Sequence, residues 1–357
     1  MHSSSSSFSF SFSFSSCLLA VAAGLIASVA ACSRVVTHNP ADDRVTVGRT
    51  LDFAADNTTI WTFPAGLRRF GGVSGNPFTW TSRFGSVTAV VLDRVYSEGL
   101  NSEGLAGSVL FGQESDYGDR DLGRPGLFVG LWLQYFLDSY ASVSDAEAAY
   151  CTGEEEFQVR TRSIVEDVDT SLRLSLSDTS GDNLVLEFVQ GKLVCHHSSD
   201  YTVVTDEPSF AEQLSLEKDR AANSNASLPG TSQPADRFVR LSHYNREIPL
   251  AEDQEEAVSN TAGMIRAVST PMTKDDATSE AWPTLWRMVT DTLDKVVFYE
   301  SATSPATFWY DVGKLNLTEG AEVTVLDLVD VPWRKRVGDM TDRFEPVAEN
   351  ECIWTVC

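Results

Sequence analysis

Residues 32–53 read CSRVVTHNPADDRVTVGRTLDF. RVVTH suits a short strand, NPADDR a turn, and VTVGRTLDF a returning strand, so the stretch predicts a β-hairpin. That hairpin would carry Cys32, Arg49 and Asp52 toward one region. Arg49 and Asp52 are three residues apart, which puts them on opposite faces of an ideal strand. A bend or bulge beyond Gly48 would let both reach the same site.

Upstream, residues 1–31 have a different character. Residues 3–16 are an uncharged Ser/Phe repeat, residues 18–27 (LLAVAAGLIA) are apolar, and Val29, Ala30 and Ala31 put small side chains before Cys32. This has the form of a secretory signal peptide cut after Ala31, although it lacks the usual basic start. The apolar run is shorter than a bilayer span requires, so export to the periplasm or the exterior is expected rather than a membrane anchor. Sequons stand at Asn57, Asn225 and Asn316.

Downstream, elements alternate. GSVTAVVLDRVY (85–96) reads as one strand and LAGSVLF (105–111) as another. Residues 129–149 read as a helix. LRLSLSD, LVLEFV and LVCHH form an antiparallel meander of three strands. Residues 211–226 begin as helix and become loop, helical blocks follow at 236–248 and 251–268, and WRMVTD, KVVFYES, TFWYDV and EVTVLDL return to strands. Sheet segments mixed with helical blocks predict an α+β layered domain, with no internal repeat and one domain over 32–357.

The 357-residue chain has 27 basic and 51 acidic residues, a formal charge of -24. Such a surface repels nucleic acid and anionic membranes. No phosphate loop, dinucleotide fingerprint or metal motif stands out, so no cofactor is expected. His196 and His197 are adjacent on a strand and would face opposite sides. Removing the leader leaves Cys32, Cys151, Cys195, Cys352 and Cys357, an odd number in which Cys352 and Cys357 form one conceivable pair.

Cys32 has several competing fates. It suits a buried small hydrophobe, half of a disulfide, or the acylated cysteine of a lipoprotein, since VAAC also fits that signal. Exposed by cleavage, it would instead carry its own α-amine, whose reference pKa near 7.7–8.0 suits proton transfer to and from the thiol.

The remaining motifs bear on that choice. They are CSR at 32–34, GRTLD at 48–52, WTFPAGLRR at 61–69, NPFTWTSRFGSV at 76–87 and GLNSEGLAGSVLF at 99–111. SLSDTSGDNLVLEF at 175–188, TDEPSFAEQL at 205–214 and LPGTSQPADRFVR at 228–240 follow. In order and spacing the chain resembles the choloylglycine hydrolase and penicillin V acylase family from Cys32 to about residue 330, closest to the branch common in Gram-negative bacteria. The resemblance implies an N-terminal nucleophile (Ntn) hydrolase, a four-layer αββα sandwich of two packed, mainly antiparallel sheets. It implies hydrolysis of a non-peptide linear amide such as penicillin V, a conjugated bile salt or an N-acyl-homoserine lactone, through a thioester. It places the nucleophile on Cys32, an arginine beside the thiol on Arg49, the aspartate that orients the α-amine on Asp52, and a second arginine on Arg237. A backbone N–H near Phe111 would help hold the oxyanion.

The family pattern departs at Thr205-Asp206-Glu207-Pro208, where relatives carry Asn at the second position as an amide donor to the oxyanion. An ionised Asp206 would repel the developing charge, and losing one such donor typically costs about 2.7–4 kcal/mol. Two alternatives therefore stay open: an inactive relative that binds an acyl ligand, and a lipoprotein anchored through Cys32. Trp61, Phe63, Trp80 and Phe111 are the expected lining of an acyl pocket, with Trp132 a weaker candidate; Trp286 and Arg287 read as structural. The partner implied is a small N-acyl amide, with self-association left open.

Overall fold

The structure, a computed structural model, describes residues 32–54, 57–112, 115–152, 156–165, 168–222, 227–272, 282–328 and 331–347. The leader, Asn225, Cys352 and Cys357 lie outside these residues.

Two large sheets organise the chain. The seven-stranded sheet runs β16 (Val203–Thr205), β1 (Ser33–Asn39), β2 (Arg44–Asp52), β17 (Thr284–Asp291), β18 (Val296–Ser301), β19 (Thr307–Asp311) and β21 (Gly338–Asp339). Only its β19–β21 pair is parallel. The nine-stranded sheet runs β15 (Lys192–His197), β14 (Asn183–Val189), β13 (Leu172–Ser177), β8 (Ala106–Phe111), β7 (Val95–Asn101), β6 (Ser86–Val91), β3 (Thr59–Phe63), β20 (Thr324–Leu326) and β22 (Glu345–Pro346). Three two-stranded ribbons complete the strands: β4 (Arg68–Phe70) with β5 (Thr79–Thr81), β9 (Gly126–Phe128) with β10 (Gln158–Arg160), and β11 (Ser163–Val165) with β12 (Val168–Asp169).

Side-chain alternation sorts the nine-stranded sheet into two faces. Val109, Leu172, Leu174, Leu176, Leu184 and Leu186 join one apolar cluster with helices α1 (Trp132–Ser139) and α2 (Val143–Tyr150). Ala106, Leu110 and Val185 join another, shared with Val36, Val45, Val47 and Met288 of the seven-stranded sheet. Helix α1 lies close because Gly99 and Gly107 leave room for it: a Cβ there would sit 2.6 Å from Leu137 and 2.4 Å from Leu133. The far face of the seven-stranded sheet packs α4 (Pro234–Glu247) and α5 (Gln254–Ala267) through Val35, Val203, Phe238, Ile265 and Val289. Helix α3 (Phe210–Ala222) follows β16. The α+β expectation therefore holds, with two large, mainly antiparallel sheets. No helix among the described residues is long and apolar enough to cross a membrane.

Some expectations are corrected. Residues 85–96 are not one strand: the chain reverses at Leu92 and Asp93, both at φ 54°, and pairs β6 with β7. Apolar, β-branched residues on both sides hid a turn that lacks the usual Asn-Gly. The helix expected over 129–149 is a 3-10 turn and two helices, broken where Tyr140 is extended and the Ser142 side chain accepts from the Asp145 N–H to start α2. A further pairing is Cys151 with Cys195, 44 residues apart in sequence. No spacing signals it; it arises because α2 ends beside β14 and β15.

Candidate active site

The predicted hairpin forms in register, with Arg34 opposite Arg49 and Ser33 opposite Thr50. Cys32 precedes β1, and its thiol is buried. The irregularity needed beyond Gly48 exists, but the extra residue belongs to the facing strand. Thr284 pairs with Asp52 and Trp286 with Leu51, so Leu285 bulges between them. Arg49 and Asp52 are both buried, and both act electrostatically on Cys32.

A strand end supplies the backbone groups. β7 pairs with β8 only as far as Ser108. The edge of β8 beyond it is open, so the Val109 carbonyl and the Phe111 N–H turn to the site. Arg49 Nη2 donates to the Val109 carbonyl. The Phe111 N–H donates to Asp206 Oδ1 at 2.8 Å. The Cys32 N–H donates to Asp206 Oδ2 at 2.7 Å, and the Asp206 N–H returns to the Cys32 carbonyl at 3.3 Å. One carboxyl thus bridges the nitrogen of the candidate nucleophile and the expected oxyanion donor. The nitrogen of Cys32, expected beside Asp52, is held by Asp206. Asp52 is engaged by Arg237 Nη1, whose guanidinium also reaches Thr270 Oγ1 and, through Nε, the Ser232 carbonyl at 2.8 Å.

The turn carrying Asp206 is held from behind. Arg173 Nη1 donates to the carbonyls of Thr205 at 2.8 Å and Asp206 at 3.3 Å, and Nη2 donates to that of Pro208 at 3.1 Å. Glu187 pairs with Arg173 at 2.8 Å and accepts from the Phe210 N–H that opens α3. Gln213 of α3 closes the turn through the Thr205 N–H and the Thr205 and Pro208 carbonyls.

Burial governs the electrostatics. It pushes the Cys32 thiol far above its ordinary range; the Asp206 carboxylate adds to this, and Arg49 opposes it. Burial likewise pushes Asp206 up to about 8 against the pull of the Cys32 N–H, Arg49 and the Phe111 N–H. Asp52 is raised by burial and restrained by Arg237 and Thr284. Arg49 Nη1 has no hydrogen-bond partner among the described residues, leaving a donor for an incoming polar group. Trp286, read as structural, carries the Arg49 guanidinium 5.3 Å from its ring centre, while Arg287 pairs with Glu300 at 3.0 Å.

The structure does not bring every expected residue to the thiol. On β3, Ile60 faces the cluster containing Cys32, and alternation turns Trp61 and Phe63 to the opposite face. There they stack at 6.3 Å with Arg69 over Phe63 at 4.2 Å. Trp80 donates to Asp138 at 2.8 Å in the same layer, and Trp132 is buried beside them. Phe111 is half-buried and meets the site through its N–H. Sequence reasoning missed Glu98, 3.5 Å from Arg49, and the Phe53–Trp282 edge-to-face pair beside Asp52 at 4.7 Å. An acidic residue inside a strand and an aromatic after an Asp give little signal alone.

The family description "Linear amide C-N hydrolases, choloylglycine hydrolase family" matches residues 32–331. The chain belongs to this family. It is 38% identical over 358 residues to a penicillin V acylase of Pectobacterium atrosepticum, covering 92% of this chain and 93% of that one. Among solved structures it resembles penicillin V acylase from Agrobacterium tumefaciens, with TM-score 0.79 and 35% identity over 89% of this chain and 98% of that one. A mutant of conjugated bile acid hydrolase from Clostridium perfringens shares the fold, with TM-score 0.69 and 17% identity over 86% of this chain and 98% of that one.

Proposed function

We propose that this choloylglycine hydrolase family member is an exported Ntn hydrolase of the αββα architecture, which opens non-peptide linear amides with Cys32 as nucleophile. Aryl-acetyl amides of the penicillin V type are the first substrates to try, on the strength of the penicillin V acylases it resembles. The observation that carries the reading is the buried junction of Cys32, Arg49 and the Asp206 carboxyl bridging Cys32 N and Phe111 N–H. Export with cleavage after Ala31 is supported by the form of the leader and by the Cys151–Cys195 disulfide, which suits an oxidising compartment.

Cleavage would turn the Cys32 nitrogen into an α-amine at the atom now 2.7 Å from Asp206. Amine and carboxyl then share a proton in two arrangements. An ammonium facing a carboxylate leaves the amine unable to take the thiol proton and sets a negative charge at the oxyanion donor. A neutral amine facing a carboxylic acid has both a base and an O–H donor. Burial disfavours charge separation and so favours the neutral pair. From that pair, the amine takes the thiol proton and Sγ attacks the amide carbonyl. The oxyanion is received by the Phe111 N–H and the Asp206 O–H. The new ammonium protonates the leaving nitrogen, a thioester remains, and water deprotonated by the same amine releases the acid. Arg49 steadies the thiolate.

One observation favours a second reading, an acyl-binding protein without turnover: Asp206 already occupies the Phe111 N–H. A panel of penicillin V, a glycine-conjugated bile salt and an N-acyl-homoserine lactone, run on the parent and on Cys32→Ala, separates the two. Turnover of at least one amide, abolished in the variant, is expected. Binding that survives Cys32→Ala without parent turnover favours the binder. A diacylglyceryl group on Cys32, or full activity from a chain beginning at Met1, overturns the mechanism.

A further inference from the structure

Behind the thiol, away from Asp206, lies a second group of buried charges. Arg34 of β1 and Glu98 of β7 are buried between the sheets with Arg49. Arg34 is fixed by Ser108 Oγ at 2.9 Å and Ser177 Oγ at 3.0 Å. Glu98 pairs in register with Ser108, and its Oε2 lies 3.5 Å from Arg49 Nε. Burial pushes the Glu98 carboxyl up, while Arg49 from β2 and Arg34 from β1 pull it back toward the ionised form, and Tyr310 from β19 also faces it. Those facing Cys32 are Asp206, Arg49 and Asp52. Arg49 is the group common to both sets. We propose that Glu98 is a positioning residue for the nucleophile, holding the Arg49 guanidinium against the Val109 carbonyl and offsetting part of the positive charge that Arg49 presents to the thiol, while Arg34 balances Glu98 from the other side.

Both ends of this chain of charges act on the thiol through Arg49, with the same sign and different size. Glu98→Gln leaves Arg49 unopposed, so the Cys32 thiolate becomes easier to form. Arg34→Met removes one of the two cations that keep the buried Glu98 ionised, so Glu98 takes up a proton, Arg49 is again less opposed and the thiolate becomes easier to form. The inference deepens the nucleophile reading, yet its test needs no amide substrate. Iodoacetamide alkylation of the full chain is followed against pH, with modification at Cys32 read by mass spectrometry of the peptide carrying it. At fixed pH on the rising limb, Glu98→Gln is expected to react about tenfold faster than the parent, a downward displacement of about one pH unit. Arg34→Met is expected to react faster than the parent too, by less than Glu98→Gln. Thermal melts check that each variant is folded, and should one fail, the sign for the other decides. Superimposed alkylation curves for a folded variant, displacement in the wrong direction, or collapse of both variants would reduce the cluster to a structural role and overturn the proposal. An amide panel without turnover would sink the enzymatic reading and leave this result intact.

Discussion

Asp206 shows what one atom type changes. Where the family pattern leads one to expect an amide, this chain has a carboxyl that binds Cys32 N and the Phe111 N–H together. Its folded pKa of about 8 lies above the unfolded carboxylate value. Between roughly pH 4 and 8 the folded state therefore holds a proton that the unfolded state has lost, and stability falls as pH rises. Asp206→Asn is expected to flatten that loss in denaturant titrations at pH 5 and pH 8. It also restores an N–H donor and cannot trap the amine as an ammonium, so turnover should rise about tenfold or more at alkaline pH. An unchanged pH–rate profile would show that Asp206 stays out of the reaction. Cys32, Arg49, Asp52 and Arg237 were legible as candidates because they sit in ordered motifs. Glu98 and Arg173 were not. A polar residue alternating with apolar ones in a strand reads as solvent-facing, whereas here that face meets a second sheet.

The same effect operates on whole elements. In LRLSLS the leucines face helix α1, while Arg173, Ser175 and Ser177 are buried between the sheets. The meander β13–β14–β15 was legible from alternation and turn residues. Its buried polar face was not, because a single strand does not reveal what covers it. Arg173 uses that burial to grip the turn carrying Asp206. Replacing it with Gln leaves Glu187 buried opposite a lost cation, which typically costs about 3–5 kcal/mol. The double variant Arg173→Met, Glu187→Leu removes both charges and should regain part of that stability, the rest staying lost because the Phe210 N–H, His196 and the Asp206 carbonyl lose these partners. If the arginine fork places Asp206, turnover stays at least tenfold below parent in the refolded double variant. Recovery of turnover along with stability would assign Arg173 to stability alone.

At the scale of the molecule, the site occupies the layer between the sheets, while Trp61, Phe63 and Trp80, expected around it, fill the layer behind. Composition could not separate these layers, since both are apolar; only register does. The Cys151–Cys195 disulfide belongs to the layer behind, where both residues pack against the helix-bearing cluster. Reduction, or Cys195→Ala, is expected to lower unfolding free energy by about 2–4 kcal/mol and to leave the turnover of the folded protein within twofold. Chemical denaturation with and without reductant, paired with an activity assay, checks both halves.

That bond has another consequence. β15 is the outermost strand of the nine-stranded sheet, and among the described residues no strand pairs with its outer rim of peptide groups, a template on which another chain could stack. Cys195 ties this strand to the end of α2, so oxidation closes a route to aggregation as well as stiffening the fold. A chain held reduced during synthesis would keep that rim loose, and its yield of soluble protein should depend on when the two sulfurs meet.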